Sequence, residues 1–131
     1  MGCPVTYLHD LREHDNGDLA GKPLAEVPFP WELHPHEKFG ETGESAIEFQ
    51  ARAEQVFSYI KKKSTPYNRI AIVSHGGIIS GILESFLGIS YNHDVFFKTE
   101  DTGIHFIEYT DQGRVVLHSN SYSHLQEESR P

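Results

Sequence analysis

The chain has 131 residues, 37% of them hydrophobic, and a formal net charge of −8. That length suits one globular domain over residues 1–131, burying roughly two-thirds of its unfolded surface. The acidic balance argues against nucleic acid as a partner, since binding needs Lys and Arg to neutralise phosphates. No apolar run approaches the ~20 residues that span a bilayer, so no membrane role is expected. Met1-Gly2-Cys3-Pro4 lacks the basic and apolar regions of a signal peptide. Thr6 completes a myristoylation-like start that chance explains as well. A lone Cys3 has no internal disulfide partner, which points to a reducing, cytoplasmic setting.

Along the chain, "HDNGDLAGK" is rich in turn formers, and residues 23–43 hold four prolines. The second stretch is expected to form an irregular loop, or a short helix broken by proline, covering one face of the domain. Thr42 or Ser45 then caps a helix expected to run to Lys63. Ala46, Phe49, Ala53, Val56, Phe57 and Ile60 make its apolar stripe. Glu44 and Glu48 at its start and three lysines at its end suit the helix dipole, which explains the only basic run. "RIAIVS" (Arg69–Ser74) reads as a strand buried on both faces. After Gly76-Gly77, "IISGILESFLG" turns helical and stops at Gly88. "DVFFKT", "GIHFIEYT" and "RVVLHSN" read as strands, the last two joined by a "TDQG" turn. The expected class is α/β, with a mixed, mostly parallel sheet covered by helices.

Candidate chemistry centres on His75-Gly76-Gly77, where the strand gives way to a helix. The first N–H groups of a helix point outward and carry positive potential, so such a turn can hold an anion. Ligands in open α/β sheets sit at the carboxyl ends of strands, where His75 would stand. Its imidazole can donate to a phosphoryl oxygen. A histidine in a surface turn with no ligand is an equal alternative on these residues alone.

Further stretches change that balance. "VSHGGIISGIL" resembles the second-histidine motif of the histidine phosphatase superfamily, also called phosphoglycerate mutase-like. "LREHDNGDLAGK" resembles its L-x-E-x-x-x-G-x-x-x-G segment through Leu11, Glu13, Gly17 and Gly21, although Leu19-Ala20 replace the usual aromatic-acidic pair. "GES" (Gly43–Ser45) followed by Arg52 resembles the start of its substrate-side helix. "DTGIHFIEY" resembles a later strand, and "NSYSHL" (Asn120–Leu125) resembles the closing N-D-x-x-H-L with Ser121 for Asp. The resemblance implies that His75 stabilises the transferring phosphoryl group, helped by the Gly76 N–H, and that Glu13 protonates the leaving oxygen. Glu44, Ser45 and His124 become pocket-rim candidates. Arg12, the one arginine before residue 44, is a candidate phosphate contact. No cofactor or metal is implied. The implied substrate is a small phosphorylated metabolite. The short Gly21–Gly43 connection favours a phosphatase over a phosphoglycerate mutase.

The same family begins with a strand ending in Arg-His-Gly, whose histidine is the nucleophile and whose arginine helps clamp the phosphate. This sequence holds no Arg-His-Gly. The expectation is therefore a partial domain lacking the first central strand and inactive alone. It would pair as a homodimer or with a complementing N-terminal segment. Three rival readings stand beside it. A serine hydrolase would use "GESAI", but Ile47 replaces the final glycine and the His-Gly-Gly follows rather than precedes it. A metal site at "HPHE" (His34–Glu37) is disfavoured by the proline and the loop setting. A non-catalytic remnant or interaction module is the serious alternative.

Overall fold

The first helix, α1 (Ala46–Lys63), starts where its sequence supplies its own cap. The Ser45 hydroxyl accepts the Glu48 N–H at 3.1 Å, and the Glu48 carboxylate accepts the Ser45 N–H at 2.9 Å. This reciprocal box satisfies two of the N–H groups that a helix start leaves orphaned. Lys61, Lys62 and Lys63 close the helix against the negative end of its dipole. The second helix, α2 (Gly76–Leu87), ends at Gly88, which adopts φ 70°. Glycine enters that left-handed conformation without a Cβ penalty, and it lets Ile89 N–H reach back to Glu84 O at 2.9 Å. The computed structural model describes residues 2–29, 32–91 and 94–124. Pro30 in the proline-rich loop and Leu125 in the closing motif lie outside them.

The two helices make the core. Ala53, Val56, Phe57 and Ile60 of α1 pack on Ile78, Ile82 and Phe86 of α2. The helices approach closely at Gly81, where an added Cβ would lie 2.7 Å from the Ala53 Cβ. Phe86 is edge-on to Phe57 at 6.5 Å and to Tyr109 at 5.1 Å, so the aromatic contacts carry the core on toward the hairpin.

That hairpin pairs β1 (Ile104–Thr110) with β2 (Gly113–Ser121), antiparallel, through the two-residue Asp111-Gln112 turn. Arg114 ties it to α2 by donating to Phe86 O at 2.6 Å. The sheet is smaller than the sequence leads one to expect: among the described residues it has two antiparallel strands, and no parallel pair joins them. Residues 69–74 and 94–99, expected as strands, lie outside any ladder. Val73 is 89% exposed and Phe96 67% exposed. Ile72, in contrast, packs partly buried on the core. A β-branched run encodes a preference for a pleated, covered surface, but a strand also needs a neighbour to pair with, and that requirement is not local.

The segment before α1 is loop with three short 3₁₀ turns, His9–Leu11, Gly17–Leu19 and Leu24–Glu26. It folds back on itself through Asp18, whose carboxylate accepts the Glu41 and Thr42 N–H groups at 2.8 and 3.0 Å. Gly17 (φ 55°) sits so close to Thr42 and Gly43 that a Cβ would overlap the Gly43 nitrogen. This crossing brings Glu13 and Glu44 to the same side of α1.

Candidate functional site

The turn into α2 divides its N–H groups between two uses. His75 is the N-cap, with φ −114° and ψ 160°, and its side chain makes no capping hydrogen bond. The ring is exposed, and no described residue bonds to it. Gly76 N–H likewise has no partner among the described residues, and a Cβ at Gly76 would meet nothing nearer than Thr99 O at 4.0 Å. Gly77 and Ile78 differ. Their N–H groups donate to the Glu13 carboxylate, at 2.8 Å to Oε2 and 3.1 Å to Oε1. A Cβ at Gly77 would come within 2.5 Å of Glu13 Oε1. The second glycine is thus required by the carboxylate seated on it, and the first leaves open room beside His75. A helix N-terminus attracts negative charge, and here Glu13 supplies part of that charge from within the chain.

Glu13 reaches this seat because its loop is held from both sides. Ser74 donates its hydroxyl to Leu11 O at 2.5 Å. From α1, Arg52 uses all five guanidinium N–H donors. Nε and Nη2 fork onto Glu44 at 2.8 and 2.7 Å, Nη1 donates to Asp10 O and Arg12 O at 2.7 and 2.8 Å, and Nη2 also reaches Glu13 O at 3.2 Å. Arg52 is 7% exposed. Burial pushes the Glu44 carboxyl up, but the Arg52 hydrogen bonds, the Asp15 N–H and the guanidinium charge outweigh it and hold Glu44 below its usual 4.5. The same pairing raises Arg52 against the opposing cost of burial.

The remaining sequence candidates stand apart from His75. Arg12 forms an exposed pair with Asp10 at 3.3 Å. Glu44 faces Arg52, and its backbone O faces His14 Nε2 at 3.1 Å. Ser45, 3% exposed, is committed to the α1 cap. His124 Nε2 lies 3.2 Å from the Thr102 hydroxyl. The structure therefore brings together Glu13, His75 and Gly76, and puts Glu44 one step behind Glu13.

Two features were missed in the sequence. One is the part Arg52 plays in holding the Glu13 loop, which no local pattern signals. The other is His105, on an alternating hairpin strand. Its Nδ1 accepts the Asn120 N–H at 3.2 Å, so the proton resides on Nε2 and is donated to the Thr99 hydroxyl at 2.7 Å. Burial lowers the pKa of this ring, consistent with a neutral imidazole. His105 thereby steadies Thr99, the residue whose carbonyl faces Gly76.

The site is open rather than enclosed. Two surface concavities of about 260 and 410 Å³ lie elsewhere, one lined by Gln50, Glu54 and Ser85, the other by Leu8, Gln55 and Tyr59. Neither includes His75. Among the described residues no three His, Cys, Asp or Glu side chains converge to hold a metal ion, and no helix is long and apolar enough to cross a membrane.

No curated protein matches the sequence. The family model of the histidine phosphatase superfamily (branch 1) matches residues 1–121. That span takes in the Glu13 loop, the His75 turn and the hairpin, and it implies an α/β fold and phosphatase or mutase chemistry in general. The chain belongs to the histidine phosphatase superfamily, branch 1.

Proposed function

We propose that the chain supplies the second-histidine side of a phosphatase pocket for small phosphorylated metabolites, working by the histidine-phosphatase route. The observation that carries this reading is the divided α2 N-terminus. His75 is exposed, neither it nor the Gly76 N–H has a partner among the described residues, and the Glu13 carboxylate stands on the next two N–H groups. His75 and Gly76 donate to phosphoryl oxygens, where the helix dipole also favours negative charge. Glu13 delivers the proton to the leaving oxygen. The role needs no metal or cofactor.

The route also needs a nucleophilic histidine and an arginine clamp. With no Arg-His-Gly in the sequence, the chain alone turns over little or no substrate. A complementing segment brings the nucleophile on a strand lying beside residues 69–75, and the sheet then becomes mixed and mostly parallel. The exposure of Ile70, Val73 and Phe96 supports this, since those side chains belong under cover. Without that segment the same edge pairs two copies as a homodimer. The exposed edge equally favours a second reading, a non-catalytic interaction module. The lone cysteine, Cys3, which is free and exposed, suits a reducing, cytoplasmic setting.

The test is hydrolysis of p-nitrophenyl phosphate by the purified chain. The expected rate equals the buffer rate. Robust turnover that disappears in His75→Ala would overturn the division of the pocket proposed here.

A further inference from the structure

We infer that Arg52 is a positioning residue for Glu13: it fixes the loop that seats the Glu13 carboxylate on α2, acting as one unit with Glu44. The inference rests on the phosphatase reading for its purpose, and on the geometry of α1 for its substance.

The argument starts from the donors. A buried guanidinium must satisfy five N–H groups, and each left unpaired is costly. Arg52 gives two to Glu44 and the others to the carbonyls of Asp10, Arg12 and Glu13. Three carbonyls within four residues of one loop are thereby pinned to a single rigid plane. A lysine carries the charge but has neither the plane nor the five donors, so it cannot hold that set. Glu44 closes the arrangement from the other side. Its Oε1 also accepts the Asp15 N–H at 2.8 Å, and its own N–H donates to Asp15 O at 2.8 Å. Residues 10–15 are thus held at both ends, with Glu13 between them. Among the described residues, the only hydrogen-bond donors to the Glu13 carboxylate outside this loop are the Gly77 and Ile78 N–H groups. Backbone placement by Arg52 and side-chain placement by α2 are therefore successive steps of one linkage from α1 to the His75 turn.

The linkage has a chemical consequence. A proton donor must lie within hydrogen-bond reach of the oxygen it serves, and a displacement of about 1 Å is costly to catalysis. The Arg52–Glu44 pair sets that distance for Glu13 relative to Gly76 and His75 without touching either.

The experiment uses amide NMR and hydrogen exchange on the full chain, comparing wild type, Arg52→Lys, Glu44→Gln and Glu13→Gln. In Arg52→Lys, exchange at Gly77 and Ile78 should accelerate by about tenfold, as for loss of one charge-assisted hydrogen bond. Their amide resonances should move toward their Glu13→Gln positions, with Phe86 and Leu83 unchanged. Glu44→Gln should give the same pattern at smaller amplitude, and it is the deciding variant if Arg52→Lys does not fold. Unchanged Gly77 and Ile78 in a folded variant overturns the inference. So does uniform loosening of α2 or unfolding of both variants, which would assign the pair to overall stability. Addition of inorganic phosphate to wild type tests the underlying reading separately. Failure of phosphate to move Gly76 counts against the phosphate pocket, and insensitivity of Gly77 and Ile78 to Arg52→Lys counts against the positioning role.

Discussion

Gly76 and Gly77 are neighbours in one helix turn, yet the structure makes opposite predictions for Gly76→Ala and Gly77→Ala. Each substitution removes the same backbone freedom from the unfolded chain, so that term cancels in the comparison. Each also gains at most about 1 kcal/mol of helix propensity. At Gly76 the new methyl enters open space, 4.0 Å from its nearest neighbour. At Gly77 it would stand 2.5 Å from Glu13 Oε1, and the carboxylate must swing away. Two helix N–H groups then lose their acceptor, which costs about 1–2 kcal/mol for a lost cap, with a further ~0.3–1 kcal/mol for the charge leaving the dipole. The two variants should therefore differ in unfolding free energy by about 2 kcal/mol, with Gly77→Ala the weaker. Urea unfolding of both at pH 7 without phosphate measures this. Equal stability would mean that Glu13 does not hold the α2 N-terminus.

Two further predictions follow the same geometry. Gly81→Ala places a methyl 2.7 Å from the Ala53 Cβ, between the backbones of α1 and α2; overpacking should cost about 1–3 kcal/mol, less at most ~1 kcal/mol of helix propensity, and a stabilised variant would contradict the close approach. Glu44 titrates below its usual 4.5 in the fold, so the unfolded chain takes up this proton first. The stability it contributes is complete above the ordinary carboxylate value and is lost as pH falls through the folded value. The stability gap between wild type and Glu44→Gln should therefore be widest near pH 7 and narrow below pH 4.5, and a gap as wide at pH 3 would refute the ion pair as its source.

What could be read from the sequence follows from the range of the forces involved. Helix α1 was legible because its stripe and charges are local, and Ser45-x-x-Glu48 carries the capping-box signature that fixes its first residue. Gly88 marked the end of α2, and the Thr110–Gly113 turn marked the hairpin, for equally local reasons. Residues 69–74 have the composition of a covered strand in Ile70, Ile72 and Val73. Composition names an environment, and no described segment pairs with this one. The site divides similarly. Glu13 and His75 were recognisable as a pair only through family resemblance. That the Glu13 carboxylate occupies Gly77 and Ile78 depends on Arg52, 39 residues away along the chain, and no window of sequence contains both.

The central claim is that His75 and the Gly76 N–H are held open for phosphoryl oxygens beside the Glu13 seat. Titration of the chain with inorganic phosphate, followed by NMR at the Gly76 amide and the His75 ring, tests it most directly. Saturable shifts at both positions, abolished at Gly76 in His75→Ala, are the predicted result. Shifts confined to the lysine-rich end of α1, or none at Gly76 and His75, would contradict the claim.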